Sequence, residues 1–208
     1  MHRLRRMRFV LFVFVTAALP AAAADVAAGK AAFVVCAACH GQDALGNPAL
    51  NSPRTAGLET WYVARQLKAF KDGVRGAAAG DLYGAQMRPM AATLVDQAAI
   101  DNVAAYIASL PGSASPVTVQ GNATTGKGLY GVCAACHGQK AEGNAQLNAP
   151  RLAGQNDWYL VRQLDAFKKG LRGAQPQDTF GAQMKPMAAT LATDQAVKDV
   201  VAYINTLQ

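Results

Sequence analysis

The chain has 208 residues, 51% of them hydrophobic, and its 20 basic and 13 acidic side chains give a formal net charge of +7. Four of those basic residues are arginines among the first eight positions, so the rest of the chain carries only 16 − 13 = +3. It shows no clustered basic stripe, which excludes a nucleic-acid-binding footprint.

The N-terminus reads as a secretory leader. Arg3, Arg5, Arg6 and Arg8 form a basic start, Phe9 to Leu19 is apolar, and Ala21 to Ala24 offers a small-residue cleavage site. A cleaved signal peptide over residues 1–24 is expected, with the mature chain beginning near Asp25. The rival reading is a retained anchor, but a membrane span wants about 20 apolar residues. This run is shorter and ends in Pro20.

A first helix is expected around Gly29 to Cys39, closing in Cys36-Ala37-Ala38-Cys39-His40. C-x-x-C-H is the attachment signature of c-type haem. Helix positions three and four apart share one face, so two sulfurs can bond a porphyrin edge while the imidazole bonds its iron. The same motif recurs as Cys133-Ala134-Ala135-Cys136-His137, at the end of a helix expected from Gly126. Together the two copies use all four cysteines, and every histidine except His2. Two covalently bound haem c groups are therefore expected, attached through Cys36, Cys39, Cys133 and Cys136, with His40 and His137 on the irons. Export makes disulfides possible, but thioether attachment would consume the thiols, so none is expected.

After the first motif comes a loop with Pro53-Arg54, mirrored by Pro150-Arg151. The proline carbonyl can accept from the ligand histidine and fix its ring, or the pair can be a turn with a solvated arginine. Middle helices are expected over Thr60 to Lys71 and about Asp157 to Lys168, with apolar residues at helical spacing and stops at Gly73 and Gly170. Trp61-Tyr62 and Trp158-Tyr159 can wall a haem or simply pack. Lys68, Lys71, Lys168 and Lys169 read most simply as a solvated face, with a docking patch as the alternative.

The methionines beyond the leader are Met87, Met90, Met184 and Met187, confined to two matching segments. Core filler would be scattered; this concentration points to one thioether per haem iron, opposite the histidine. Spacing alone leaves open which Met of each pair ligates. The last helices follow, opened by Asp96 or Gln97 with a stripe Ile100, Val103, Ile107, Leu110, and by Thr193 or Asp194 with Val197, Val200, Ile204, Leu207. Tyr106 and Tyr203 should pack on the first helix of each half near Gly29 and Gly126. No stretch reads as a strand, so the fold class is all-α.

The halves are copies. Residues 29–110 align without a gap to 126–207 at an offset of 97, with 48 of 82 positions identical. The expected organisation is a first domain over 25–110, a Pro- and Gly-containing linker over 111–122, and a second domain over 123–208. A zinc site or a redox dithiol also uses C-x-x-C, but the adjacent His and the absence of a βαβ pattern argue against both. A dihaem peroxidase would need acid–base groups such as histidine beside an open iron, and none is left.

With these residues in place, the chain resembles the dihaem cytochrome c4 family of two tandem class I cytochrome c domains. The likeness spans the mature chain, including Pro150-Arg151-Leu152-Ala153-Gly154-Gln155, Trp158 to Leu164 and Phe167 to Arg172. It implies Met87 and Met184 as axial ligands, since each precedes Leu94 or Leu191 by the family's seven-residue interval, leaving Met90 and Met187 to pack. It implies a periplasmic electron carrier, not an enzyme, working between a quinol-oxidising cytochrome bc complex and a terminal oxidase, with loose membrane association in some members. A haem subunit of a larger dehydrogenase, such as a flavocytochrome that oxidises sulfide, fits the same layout. It also implies haem propionates facing one another about a pseudo-twofold axis. The first copy departs from the family at Thr55-Ala56-Gly57-Leu58, so the haem environments of the two halves are expected to differ.

Overall fold

The computed structural model describes residues 23–207, and the expected leader lies almost wholly outside them. The described residues form eight α-helices and two 3-10 turns, with isolated bridges in place of any sheet. The first half holds α1 (Val26–His40), α2 (Thr60–Lys71), α3 (Leu82–Ala92) and α4 (Gln97–Ser109). The second repeats them as α5 (Ala123–His137), α6 (Asp157–Lys168), α7 (Thr179–Ala189) and α8 (Asp194–Asn205). The 3-10 turns, Pro48–Leu50 and Ala145–Leu147, follow the first helix of each half.

Local chemistry sets the helix bearing each motif. Asp25 caps α1 by accepting from the N–H groups of Ala27 and Ala28 at 2.8 and 3.0 Å, and Asn122 caps α5 likewise. Both helices run through their histidine and stop at a glycine of positive φ, Gly41 at 81° and Gly138 at 83°. The whole C-x-x-C-H segment is thus helical, and its three functional side chains share one face.

Close crossing then builds each core. A Cβ on Gly29 would lie 1.9 Å from the Asn102 carbonyl oxygen, and one on Gly126 would lie 1.9 Å from that of Asp199. Only glycine lets α1 meet α4, and α5 meet α8, this closely. Beside the crossing Phe33 packs on Tyr106 and Tyr130 on Tyr203, with ring centroids 5.3 and 5.4 Å apart, as the sequence leads one to expect. Leu67, Ile100, Val103 and Ile107 complete the first core, and Leu160, Val197, Val200 and Ile204 the second.

Two helices are not foreshadowed by apolar periodicity: α3 and α7, which carry the methionines. Asp81 and Asp178 cap them, each accepting from a glycine N–H, Gly84 or Gly181, at 2.9 Å. Pro89 and Pro186 sit inside these helices. A helix tolerates that only where the carbonyl four residues back finds another partner, and Ala85 and Ala182 lie on the exposed side.

The lysine face needs a partial correction. Lys168 donates to the Leu191 carbonyl at 2.7 Å, and Lys71 donates to the carbonyls of Leu94 and, at 2.9 Å, Val95. These two ammonium groups tie the middle helix to the turn after the methionine helix. Lys68 stays exposed beside Asp72, and Lys169 is exposed too.

The halves meet through exchanged bonds. Arg65 donates to the side chain and carbonyl of Asn148, both at 3.1 Å. Arg162 donates to the same groups of Asn51 at 2.6 and 3.1 Å. Residues 97 apart swap partners, which is the signature of a pseudo-twofold, self-complementary interface. Each asparagine is left-handed, at φ 57° and 55°, a region Asn enters more readily than other non-glycine residues. The linker is fastened rather than loose. Ser115 donates to the Gly154 carbonyl at 2.9 Å, and buried Asp157 accepts from Thr118 Oγ1 at 2.6 Å and the Val119 N–H at 2.7 Å.

Candidate haem sites

Each half encloses a cavity, of about 480 Å³ in the first and about 440 Å³ in the second. Both volumes fall in the range of about 300–1,000 Å³ usual for cofactor sites. The first is lined by Cys36, Cys39, His40, Met87 and Met90. The second is lined by Cys133, Cys136, His137, Met184 and Met187. Every cysteine, histidine and methionine singled out from the sequence for haem binding therefore reaches a cavity wall, and each set of five comes together in one half; of the aromatic pairs, Tyr62, Trp158 and Tyr159 line a cavity and Trp61 does not.

The two histidines are pre-oriented. His40 Nδ1 donates to the Pro53 carbonyl at 2.7 Å, and His137 Nδ1 donates to the Pro150 carbonyl at 2.8 Å. This leaves each Nε2 with a free lone pair. Burial pushes both imidazoles below the usual histidine value, outweighing the carbonyl bond that pulls the other way. A neutral ring held by one nitrogen is the form that ligates a metal. The proline-carbonyl reading thus holds over the plain-turn reading. The arginines that follow diverge: Arg151 is exposed, whereas Arg54 is buried and donates to the carbonyls of Ala56, Ser113 and Gly154. Burial also pushes the Cys36 and Cys133 thiols up, away from the thiolate that zinc would need.

Each methionine pair is three apart on a helix, so both sulfurs lie on one face. Within that shared placement Met87 packs against the first core, and Met184 is half-buried while Met187 is 36% exposed.

The wall between the cavities joins Tyr62 and Tyr159, which the sequence offered as haem walls, to four residues that sequence reading missed. Arg75, Arg172, Gln66, Gln163, Tyr62 and Tyr159 line both cavities. Arg172 donates to Gln163 Oε1 at 2.6 Å and to Gln66 Oε1 at 3.3 Å. Arg75 makes the mirror-image pair of bonds to Gln66 and Gln163. Each guanidinium also lies over a phenylalanine of its own half, Arg75 on Phe70 at 4.2 Å and Arg172 on Phe167 at 4.3 Å. Both arginines are buried, their Nε atoms have no hydrogen-bond partner, and the one ion pair among the described residues is Lys68–Asp72. Burial, and then Arg75 alongside, push the Arg172 guanidinium down.

Two buried cations with no carboxylate at ion-pair distance are costly unless an anion meets them. A haem fits: thiols, an imidazole and thioethers line each cavity, and two buried guanidinium groups able to pair with its carboxylates line both. The signal for this wall was in the sequence, since Gln66, Arg75 and Phe70 are identical in both halves. Only their meeting across the interface was not.

Comparison with known proteins agrees with this geometry. The cytochrome c family profile matches residues 26–111 and again 123–208. Cytochrome c4 of Azotobacter vinelandii is 34% identical over 197 residues, covering 90% of each chain. A thiosulfate dehydrogenase electron acceptor of Stutzerimonas stutzeri is 34% identical over 183 residues, covering 83% of this chain and 78% of that one. The crystal structure of reduced cytochrome c4 from Pseudomonas stutzeri superposes with a TM-score of 0.72 at 30% identity, over 89% of this chain and 100% of that one.

Proposed function

The chain belongs to the cytochrome c4 family, as a dihaem electron carrier with two covalently bound haem c groups, and from that premise we propose how its residues serve the task. Cys36 and Cys39 anchor the first haem and Cys133 and Cys136 the second. His40 with Met87, and His137 with Met184, would ligate the two irons. Each haem supplies an iron that takes up and gives back one electron, and thioether ligation favours the reduced metal. The chain does the rest. The Pro53 and Pro150 carbonyls fix the imidazoles by their Nδ1 atoms, the apolar lining excludes water, and Arg75 and Arg172 would meet the haem carboxylates. With a histidine and a methionine committed to each iron, neither half would offer an open site for substrate, so on this reading the protein carries electrons and is not itself an enzyme.

The observation that carries this reading is the repeated set in each cavity: two thiols, a carbonyl-anchored imidazole and a thioether. The mass of the mature protein tests it. Two haem equivalents above the bare polypeptide are expected, together with two one-electron steps and no carbon monoxide binding. A bare-chain mass, or ready carbon monoxide binding, would overturn it.

The proposed compartment is the periplasm, on the strength of the leader. None of the helices among the described residues is long and apolar enough to cross a membrane. The partners are redox proteins. We assign it to the path from a cytochrome bc complex to a terminal oxidase. A second reading, as the haem partner of a dehydrogenase, is favoured by the similarity to a thiosulfate dehydrogenase electron acceptor. Reduction rates with a quinol-fed bc complex and with a thiosulfate-oxidising or flavin dehydrogenase separate the two. A stoichiometric dehydrogenase in the purified material would decide for the second.

A further inference from the structure

The peptide units that hold the two histidines are wired to different acceptors. In the second half the Pro150–Arg151 unit accepts from His137 Nδ1 through its carbonyl at 2.8 Å. Its N–H, on Arg151, donates to Glu59 Oε1 at 2.9 Å. In the first half the Pro53–Arg54 unit accepts from His40 at 2.7 Å, and its N–H donates to Asn156 Oδ1 at 2.6 Å. Glu59 and Asn156 are equivalent positions, 97 residues apart. Each reaches across the interface to the other half's histidine loop. One is a carboxylate and the other a neutral amide.

Glu59 is unusual in a second way. Its Oε2 is buried and has no hydrogen-bond partner. A buried carboxylate oxygen left unpaired costs stability, so packing does not explain its place. Gly143, at φ 85°, leaves the room it occupies: a Cβ there would come within 2.8 Å of Glu59 Oε1.

We propose that Glu59 lowers the reduction potential of the haem in the opposite half, acting through the Pro150–Arg151 peptide on His137. A charged acceptor on the N–H polarises the peptide unit, so its carbonyl draws harder on the His137 proton and makes the ring a stronger donor to iron. A stronger donor, with a negative charge nearby, favours the oxidised metal. Asn156 does this weakly for His40. Glu59 is thus a positioning and tuning residue, and its proposal rests on the histidine ligation above.

The test is Glu59→Gln in the holoprotein, with each potential assigned to its half by haem-resolved NMR. The second-half haem should become about tenfold easier to reduce, a rise of about 59 mV for one electron, with the first-half haem unmoved. Asn156→Asp should do the reverse in the first half, lowering that potential. A loosened interface would not shift two halves in opposite directions. Unchanged potentials, or equal shifts in both haems, would overturn the proposal while leaving ligation intact. Loss of histidine ligation in the unmutated protein's spectrum would overturn both.

Discussion

The guanidinium carbon of Arg162 lies 3.9 Å from the centre of the Tyr83 ring, so a residue of α6 in the second half grips the start of α3 in the first. Its equivalent, Arg65, lies 4.5 Å from the Phe180 ring on α7. Each arginine also covers the tryptophan of its own helix, Trp158 at 4.7 Å and Trp61 at 4.9 Å. Each methionine helix is therefore braced by the other half.

Arg162→Ala should loosen α3 and weaken the Met87 bond while leaving Met184 alone. It removes a stacked cation worth about 0.5–2 kcal/mol and two bonds to Asn51. Hydrogen exchange of the α3 amides should quicken, and the weak sulfur–iron band of one haem should fade. Arg162→Lys should recover little, because an ammonium lacks the planar fork. Equal loosening of α3 and α7 would contradict the crossed arrangement.

Single Met→Ala substitutions separate ligand from packing residue. Met87→Ala should abolish the sulfur–iron band of the first haem and open it to carbon monoxide, and Met184→Ala should do so for the second. Met90→Ala and Met187→Ala should keep both bands, with destabilisation below about 2 kcal/mol for these partly exposed side chains.

Glycines of α5 should respond in opposite directions. Gly126→Ala drives a methyl into the Asp199 carbonyl and should cost about 1–3 kcal/mol, as overpacking does. Gly131 is exposed, with nothing within 4 Å of where a Cβ would be. Gly131→Ala should stabilise by about 0.5–1 kcal/mol through helix propensity. Thermal or denaturant midpoints of the holoprotein read both.

Asp157 predicts an acid limb to stability. Burial raises its carboxyl, but the bonds from Thr118, Val119 and Trp158 outweigh burial and hold it below the usual range. A folded value below the unfolded one means the contribution is present above about pH 3.9 and is lost as pH falls through the lower, folded value. Asp157→Asn should weaken the linker's seat at neutral pH and flatten this acid dependence. An unchanged acid limb would remove Asp157 from the account.

Helix identity was legible where chemistry is local. The haem motif announces α1 and α5, while the cap at Asp96, glycine stops and the Val103–Ile107 stripe announce α2 and α4 and their copies; the Asp25 cap, which starts α1 three residues before the expected Gly29, shows only in the structure. α3 and α7 escaped because they carry no apolar stripe and contain Pro89 and Pro186. What stabilises them comes from outside: an aspartate cap, and an arginine from the other half.

From the chain alone follow the two haem motifs, the duplication and the all-helical class, because these rest on neighbours three to four residues apart or on residues matching at one fixed interval. Folding in three dimensions decided what lies between the halves: the Arg75, Arg172, Gln66 and Gln163 wall, the exchanged Arg65 and Arg162 grips, and Glu59 against the His137 loop. The hydrogen bonds that cross between the halves there join residues 83 to 111 positions apart. No short-range pattern encodes them, since the same arginine or glutamate would be equally at home on a solvated helix face.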